Sequence, residues 1–236
     1  MTHQQKHAAR RGARGQSAVE FLIIAPALLL LCLGVIQFGL LYQAKATLDH
    51  AALQAAREGA VDHGRLASMR KGLALGLTPL FVRSADRTAH ATGYAKAQFE
   101  ARTQARIDVL NPTPAALQDF GRSGYYAGKT TREIPNDSLM YRATSAGPSS
   151  GVNIQDANLL KIRVTYCYEM FVPFADRTIY SLVNGIRNFV ATGSYRGMEV
   201  PTTPNFCTGR ATLASEWRIP LESEAIVRMQ SPYRGN

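Results

Sequence analysis

The sequence is poor in the residues that build most metal centres and nucleophilic active sites. Its 236 residues include only three cysteines and five histidines. No cysteine has a histidine or a second cysteine at ligand spacing, and neither an HExxH motif nor a glycine-rich phosphate loop is present. We therefore expect no metal, no cofactor and no catalytic constellation, and predict that the protein is not an enzyme.

The sequence also lacks a run of basic residues interleaved with aromatic ones. Lysine and arginine outnumber aspartate and glutamate by 27 to 17, but between residues 42 and 236 the two signs are interspersed. We therefore expect no binding to nucleic acid. The acid-free basic cluster of the chain lies in its first 15 residues: Lys6, Arg10, Arg11 and Arg14.

Residues 21–41, FLIIAPALLLLCLGVIQFGLL, contain no charge at all. As a helix they would extend about 30 Å, the thickness of the hydrocarbon core of a bilayer. This pattern predicts a single transmembrane helix in contact with membrane lipid, with a buried core helix as the alternative. Because four bases precede the span, the N-terminus is expected in the cytoplasm and everything from Tyr42 onward outside it.

An acid stands at the edge of this apolar stretch. The basic leader ends in Gly15, and Glu20 is the fifth residue after it. A carboxylate drawn into a bilayer costs up to ~3 kcal/mol, so intramembrane acids are functional candidates. Cleavage after Gly15 would place the new α-amino group of Gln16 about one helical turn from Glu20, or opposite the Glu20 of a neighbouring helix. The sequence thus predicts processing at Gly15–Gln16 and a role for Glu20 in helix register.

The segment RGARGQSAVEF (residues 11–21), followed by APALLL (25–30) and QAAREGA (54–60), resembles TadE-like proteins of tight-adherence pilus systems. The resemblance implies a minor pseudopilin-like component of type IVb (Flp-type) pilus assembly, in which Glu20 and Phe21 are the assembly positions. It implies prepilin peptidase, other pilins or pseudopilins and inner-membrane pilus assembly proteins as partners. It also implies an inner-membrane location and leaves open incorporation into a pilus.

Three other interpretations of the chain stay open. A secretory signal peptide would be cleaved after Ala46, because Ala44-Lys45-Ala46 fits the small-x-small rule. An uncleaved helix would make the chain a membrane-anchored scaffold or binding protein of an envelope complex. An exported hydrolase is the third alternative, and it would need paired titratable groups in a pocket.

The exported part begins with helical patterns. Ala-rich sequence favours continuation of the first helix to Arg57, with stops at Gly59 and Gly64. A second helix is indicated by one apolar face: Leu66, Met69, Leu73, Leu77 and Leu80. Asp86 is expected to cap a third helix that ends near Arg106 and turns these residues inward: Ala91, Tyr94, Ala95 and Phe99.

Strand patterns follow an irregular stretch at residues 111–156. Alternation predicts a strand at residues 160–168, with Cys167 on its polar face, then a short helix at 177–189 and strands at 212–219 and 224–229. We expect an α+β fold: a long N-terminal transmembrane helix that continues into a small extracytoplasmic domain of helices on an antiparallel sheet. The predicted division is a leader at 1–15, the transmembrane and extended helix at 16–60 and the domain at 61–236.

The three cysteines divide by position. Cys32 lies inside the apolar span and is interpreted as a small apolar filler. Cys167 and Cys207 remain for an oxidising compartment, and we predict that they form a disulfide, with two independent thiols as the alternative. Closing a loop of about 40 residues would stabilise the fold by roughly 4 kcal/mol in the chain-entropy model.

Overall fold

Helix α1 (Gln16–Val61) runs without interruption from the apolar segment into the folded domain. The computed structural model describes residues 16–126, 128–172, 179, 207 and 218–234. At a rise of 1.5 Å per residue, the helix is about 69 Å long. The predicted continuous helix is confirmed, and Pro26 lies within it.

The second half of helix α1 forms the centre of the domain core. Small side chains at spacings of one, three and four residues give it one wide buried face, which neighbouring elements approach closely. Residues 44–60 of the helix are therefore part of the folded domain. The buried side chains of this half are Ala44, Leu48, Ala51, Ala52, Ala55, Ala56 and Ala60.

Helix α2 (Leu66–Leu77) packs antiparallel against helix α1. The chain reverses at Gly64, whose φ of +77° favours glycine; helix α1 itself passes Gly59 and ends at Val61. Met69, Leu73 and Leu77 are buried as predicted, whereas Leu80 belongs to a following 3-10 turn, Thr78–Leu80. The predicted second helix is thus confirmed in place and face.

Helix α3 (Arg87–Thr103) begins after Asp86, as predicted, but the Asp86 side chain makes no capping hydrogen bond. The predicted inward face is wrong. Ala91, Ala95 and Phe99 are exposed, and Tyr94 is only half-buried. The helix instead buries glycine, alanine and one glutamate, and Gly93 allows the Val82 side chain to pack where a Cβ would lie only 2.7 Å away. The buried residues are Gly93, Ala97, Glu100 and Ala101.

A three-stranded antiparallel sheet lies against helix α1, with strand order β1-β4-β5. Strand β1 (Ala105–Asn111) pairs with the central strand β4 (Leu159–Glu169), and β4 pairs with β5 (Arg218–Arg228). The predicted strand at 160–168 is confirmed. Strand β1 was missed, since the third helix was expected to extend over its first two residues.

Strand β5 replaces the two strands predicted at 212–219 and 224–229. Pro220 and the residues after it pair with β4 in continuous register, so the predicted interruption is wrong. Proline is tolerated because β5 is an edge strand among the described residues, where its second row of N–H groups has no ladder partner to lose. Residues 212–217 lie outside the described residues, as does the predicted helix at 177–189 apart from Ile179.

Residues 111–156 are more regular than predicted. They contain helix α4 (Pro114–Phe120), a hairpin of strands β2 (Arg122–Tyr126) and β3 (Lys129–Glu133), a 3-10 turn (Leu139–Tyr141) and helix α5 (Ile154–Ala157). The hairpin had no alternating apolar pattern to reveal it. The α+β class, with helices on antiparallel sheets behind a long apolar helix, is confirmed.

Candidate functional site

The first half of helix α1 exposes large apolar side chains around its whole circumference. In its most apolar stretch of 18 residues none is buried, and Phe21 is 70% exposed. By length and composition the helix is able to cross a membrane, and a signal sequence would share these properties. An apolar surface of this size is a binding surface for lipid or for other apolar helices.

The predicted processing and assembly residues lie at the start of this helix. Gln16 is the first described residue of helix α1, and Glu20 follows one helical turn later with an exposed side chain. The four-residue spacing corresponds to an axial rise of about 6 Å. Gly15, on the other side of the predicted cleavage site, lies outside the described residues.

The apolar stretch ends at a contact that sequence reasoning missed. Gln37 is completely buried, and its Oε1 accepts a hydrogen bond of 3.0 Å from the backbone N–H of Val172. Met170 and Val172 are buried beside it. We refer to these three residues, Gln37, Met170 and Val172, as the foot of the domain. Residues 18–36, about 28 Å of helix, therefore precede the first buried side chain of helix α1.

The structure joins Cys167 and Cys207 by a disulfide that closes a separation of 40 residues. Both residues are buried, so Cys167 does not face solvent as its place on the polar face of the strand suggested. A buried disulfide is typical of a domain outside the cytoplasm. Cys32 is free and exposed on the apolar half of helix α1.

A buried ionic cluster connects helix α3 to the sheet just above the foot of the domain. Arg218 Nη1 lies 3.1 Å from Glu100 Oε2 and donates a 3.1 Å hydrogen bond to the carbonyl oxygen of Cys167. Its Nη2 lies 3.2 Å from Glu169 Oε2. Sequence reasoning could not pair Glu169, because its partner follows 49 residues later. The cluster crosses strands β4 and β5 beside the disulfide.

Tyr166 extends the cluster with a long hydrogen bond of 3.4 Å from its hydroxyl to Glu100 Oε2. Burial, and next the neighbouring Glu100 carboxylate, raise the pKa of the Tyr166 hydroxyl well above its ordinary value. Among the described residues, the cluster holds one guanidinium, two carboxylates and a phenol that remains neutral. Its hydrogen bonds and ion pairs join helix α3 to strands β4 and β5.

Residues 147–151, GPSSG, fit the G-x-S-x-G pattern of a nucleophile elbow, which sequence reasoning missed. An elbow needs a strand that turns sharply into a helix. Here the segment is a partly exposed turn whose Ser149 and Ser150 N–H groups donate to the Asp119 carboxylate at 3.1 and 2.7 Å. Within the described residues no histidine hydrogen-bonds to Ser149, and no three His, Cys, Asp or Glu side chains group into a metal site.

Comparisons with known proteins identify the N-terminal helix. Residues 15–57 match the family model of TadE-like proteins, so the match covers the exposed apolar half of helix α1 and most of its buried half. Comparison with curated proteins and with solved structures gives no match. The chain therefore contains a TadE-like protein domain at residues 15–57.

Proposed function

We propose that the protein is a minor pseudopilin-like component of a tight-adherence pilus assembly system, with a structural role in biogenesis, initiation or anchoring of the pilus. The observation that carries this proposal is the coincidence of the TadE-like segment with helix α1. The exposed half of that helix is suited to pack against lipid and then against like helices. Its other half is fixed in the domain core.

The leader keeps the precursor in the membrane in this proposal. Four bases without an acid precede Gly15, and they hold the N-terminus in the cytoplasm and prevent extraction of the helix. Prepilin peptidase removes residues 1–15, which frees the α-amino group of Gln16. The domain lies on the opposite side of the inner membrane, where the Cys167–Cys207 disulfide is stable.

Glu20 sets the position of the helix among its neighbours. Between residues 18 and 36 it is the sole charged residue, so its carboxylate is costly in lipid, by up to ~3 kcal/mol, unless a cation compensates it. The freed α-amino group of Gln16 supplies that cation, either about one helical turn away in the same chain or from a neighbouring helix that is shifted along the bundle. Because helix α1 is continuous, any axial movement of Glu20 is transmitted directly to the domain.

The test is piliation of cells that carry Glu20→Gln, an uncharged variant of the same shape. Asp49→Asn is the matched control, because Asp49 lies on the same helix but pairs with Lys45 at the domain surface. We expect surface pili to be lost in the Glu20 variant and retained in the control, with equal amounts of both proteins in the membrane fraction.

Normal piliation of the Glu20 variant would contradict the assembly role. If deletion of the whole chain still abolished pili in that case, the protein would act as an uncleaved membrane-anchored scaffold. An unchanged number of pili after deletion would exclude both functions.

A further inference from the structure

A cavity of about 450 Å³ lies beside the foot of the domain. Its wall is formed by helix α1 at Leu40 and Gln43, by the turn after helix α2 and by helix α3, and its floor by the end of strand β4. Pockets that bind small molecules in proteins have volumes of roughly 300–1,000 Å³, and the volume of this cavity falls within that range. The cavity is therefore large enough for a ligand of that size.

The chemistry of the lining is amphipathic. Leu80, Phe81 and Phe171 give it apolar walls, and Arg83 and Lys96 place two exposed cations at its rim. The Lys96 ammonium lies 5.4 Å from the ring centroid of Phe81. Such a combination suits a ligand with an anionic group and an adjoining apolar part.

The acids of the lining do not cancel these two cations. Glu100 on helix α3 and Glu169 on the floor both form ion pairs with Arg218, at 3.1 and 3.2 Å. Among the described residues neither Arg83 nor Lys96 has an acidic partner within ion-pair distance. The rim therefore retains a net positive charge that can bind an anion.

The height of the cavity along helix α1 identifies the anion. Residues 18–36 precede the first side chain that the domain buries and span about 28 Å, close to the ~30 Å hydrocarbon core. We place these residues, rather than the predicted 21–41, in the core, so residues 37–43 fall in the headgroup layer on the domain side. Exposed aromatic side chains mark the same height: Phe38, Tyr42 and Phe171. Aromatic residues are enriched at this interface in membrane proteins.

We propose that the cavity binds the headgroup of an anionic phospholipid from the leaflet that faces the domain. Arg83 and Lys96 bind its phosphate, and the acyl chains lie along the exposed apolar half of helix α1. This inference rests on the membrane span of the proposed function but not on cleavage or assembly. A bound lipid would hold the domain against the membrane surface at one height.

The experiment is a titration of the full chain, purified in a neutral detergent, with phosphatidylglycerol, followed by native mass spectrometry of retained lipid. We compare the wild type with the double variant Arg83→Gln/Lys96→Gln. One basic side chain near an anionic lipid contributes about fivefold in affinity, so the double variant should bind about thirtyfold more weakly.

The matched control removes two charges far from the cavity, in Arg122→Gln/Lys129→Gln on the β2–β3 hairpin. That hairpin contacts the opposite end of the domain, where Tyr126 packs against Arg65 and Arg234. The affinity of this control variant for phosphatidylglycerol should equal that of the wild type. If the double cavity variant unfolds at a lower temperature, the single variant Lys96→Gln replaces it, with an expected loss of about fivefold.

Two further probes separate the sources of the phosphate. Diacylglycerol with the same acyl chains lacks the phosphate, and glycerol 1-phosphate lacks the chains; the proposal requires both to bind much more weakly than phosphatidylglycerol. Equal binding of either probe would overturn it, as would equal lipid retention by the wild type and the cavity variant. The Glu20→Gln variant should retain lipid like the wild type, which keeps this test independent of the assembly role.

Discussion

The backbone N–H of Val172 donates a 3.0 Å hydrogen bond to Oε1 of Gln37, a residue 135 positions earlier in the chain. Gln37 is the polar residue of an otherwise apolar stretch, and the domain buries it completely. The contact is therefore the first point along helix α1 at which the domain buries a side chain. It also fixes the domain directly above the apolar segment.

Replacing Gln37 by Ala should destabilise the domain. The variant removes the acceptor of the buried Val172 N–H and leaves a cavity, for an expected loss of about 2–3 kcal/mol in the free energy of unfolding. The measurement is denaturant unfolding of the full chain in neutral detergent. The exposed Gln43→Ala on the same helix is the control, and similar stabilities of the two variants would show that the contact contributes little.

The close approach of helices α1 and α2 depends on Gly76. A Cβ atom at this position would lie 2.4 Å from Cα of Ala51, too close to be accommodated without moving a backbone. Gly76→Ala should therefore lower the free energy of unfolding by about 1–2 kcal/mol, despite the better helix propensity of alanine. The same substitution at Gly39, whose Cβ would meet nothing within 4 Å, should cause no loss.

The spacing of apolar residues in the sequence was sufficient to locate helices and strands that have one uniform apolar face. Met69, Leu73 and Leu77 located helix α2 and its buried side, and the alternation at residues 160–168 located strand β4. It failed for helix α3, where the buried side consists of glycine, alanine and a glutamate. Apolar size then favours the wrong face, because Phe99 is 62% exposed.

The contacts that join distant parts of the chain were beyond sequence reasoning. The partner of Gln37 is 135 residues away and that of Glu100 is 118 residues away, and no pattern near either residue specifies it. The β2–β3 hairpin, RSGYY and KTTRE, contains almost no aliphatic side chains, so its pairing had no apolar signal. By contrast, the roles of Gly15, Gln16 and Glu20 were predicted from local sequence, because their spacing relative to the apolar run is itself the pattern, and these roles stay predictions.

The buried Tyr166 should make stability depend on alkaline pH. Its pKa is raised in the folded state, so above pH ~10 the unfolded chain loses a proton that the folded chain keeps, and stability falls by about 1.4 kcal/mol per pH unit. Below that pH Tyr166 does not contribute to the change in the free energy of unfolding with pH. Tyr166→Phe should remove this part of the decline between pH 10 and 11.

Thermal unfolding of the full chain in detergent, followed by circular dichroism, measures this slope. A Cys32→Ser background prevents exchange between the free thiol and the disulfide at high pH. Tyr125→Phe is the control because Tyr125 is exposed, and it should keep the wild-type slope. Equal slopes for the two tyrosine variants would argue against a neutral, buried Tyr166.

In the proposed function, a processed N-terminus places a free amino group beside Glu20. Processing is measured by N-terminal sequencing of the protein extracted from membranes of cells with an active prepilin peptidase. We expect a chain that begins at Gln16. A chain that begins at Met1 or Thr2 would show an intact anchor, and one that begins at Thr47 would show a cleaved signal peptide; either result would contradict this expectation.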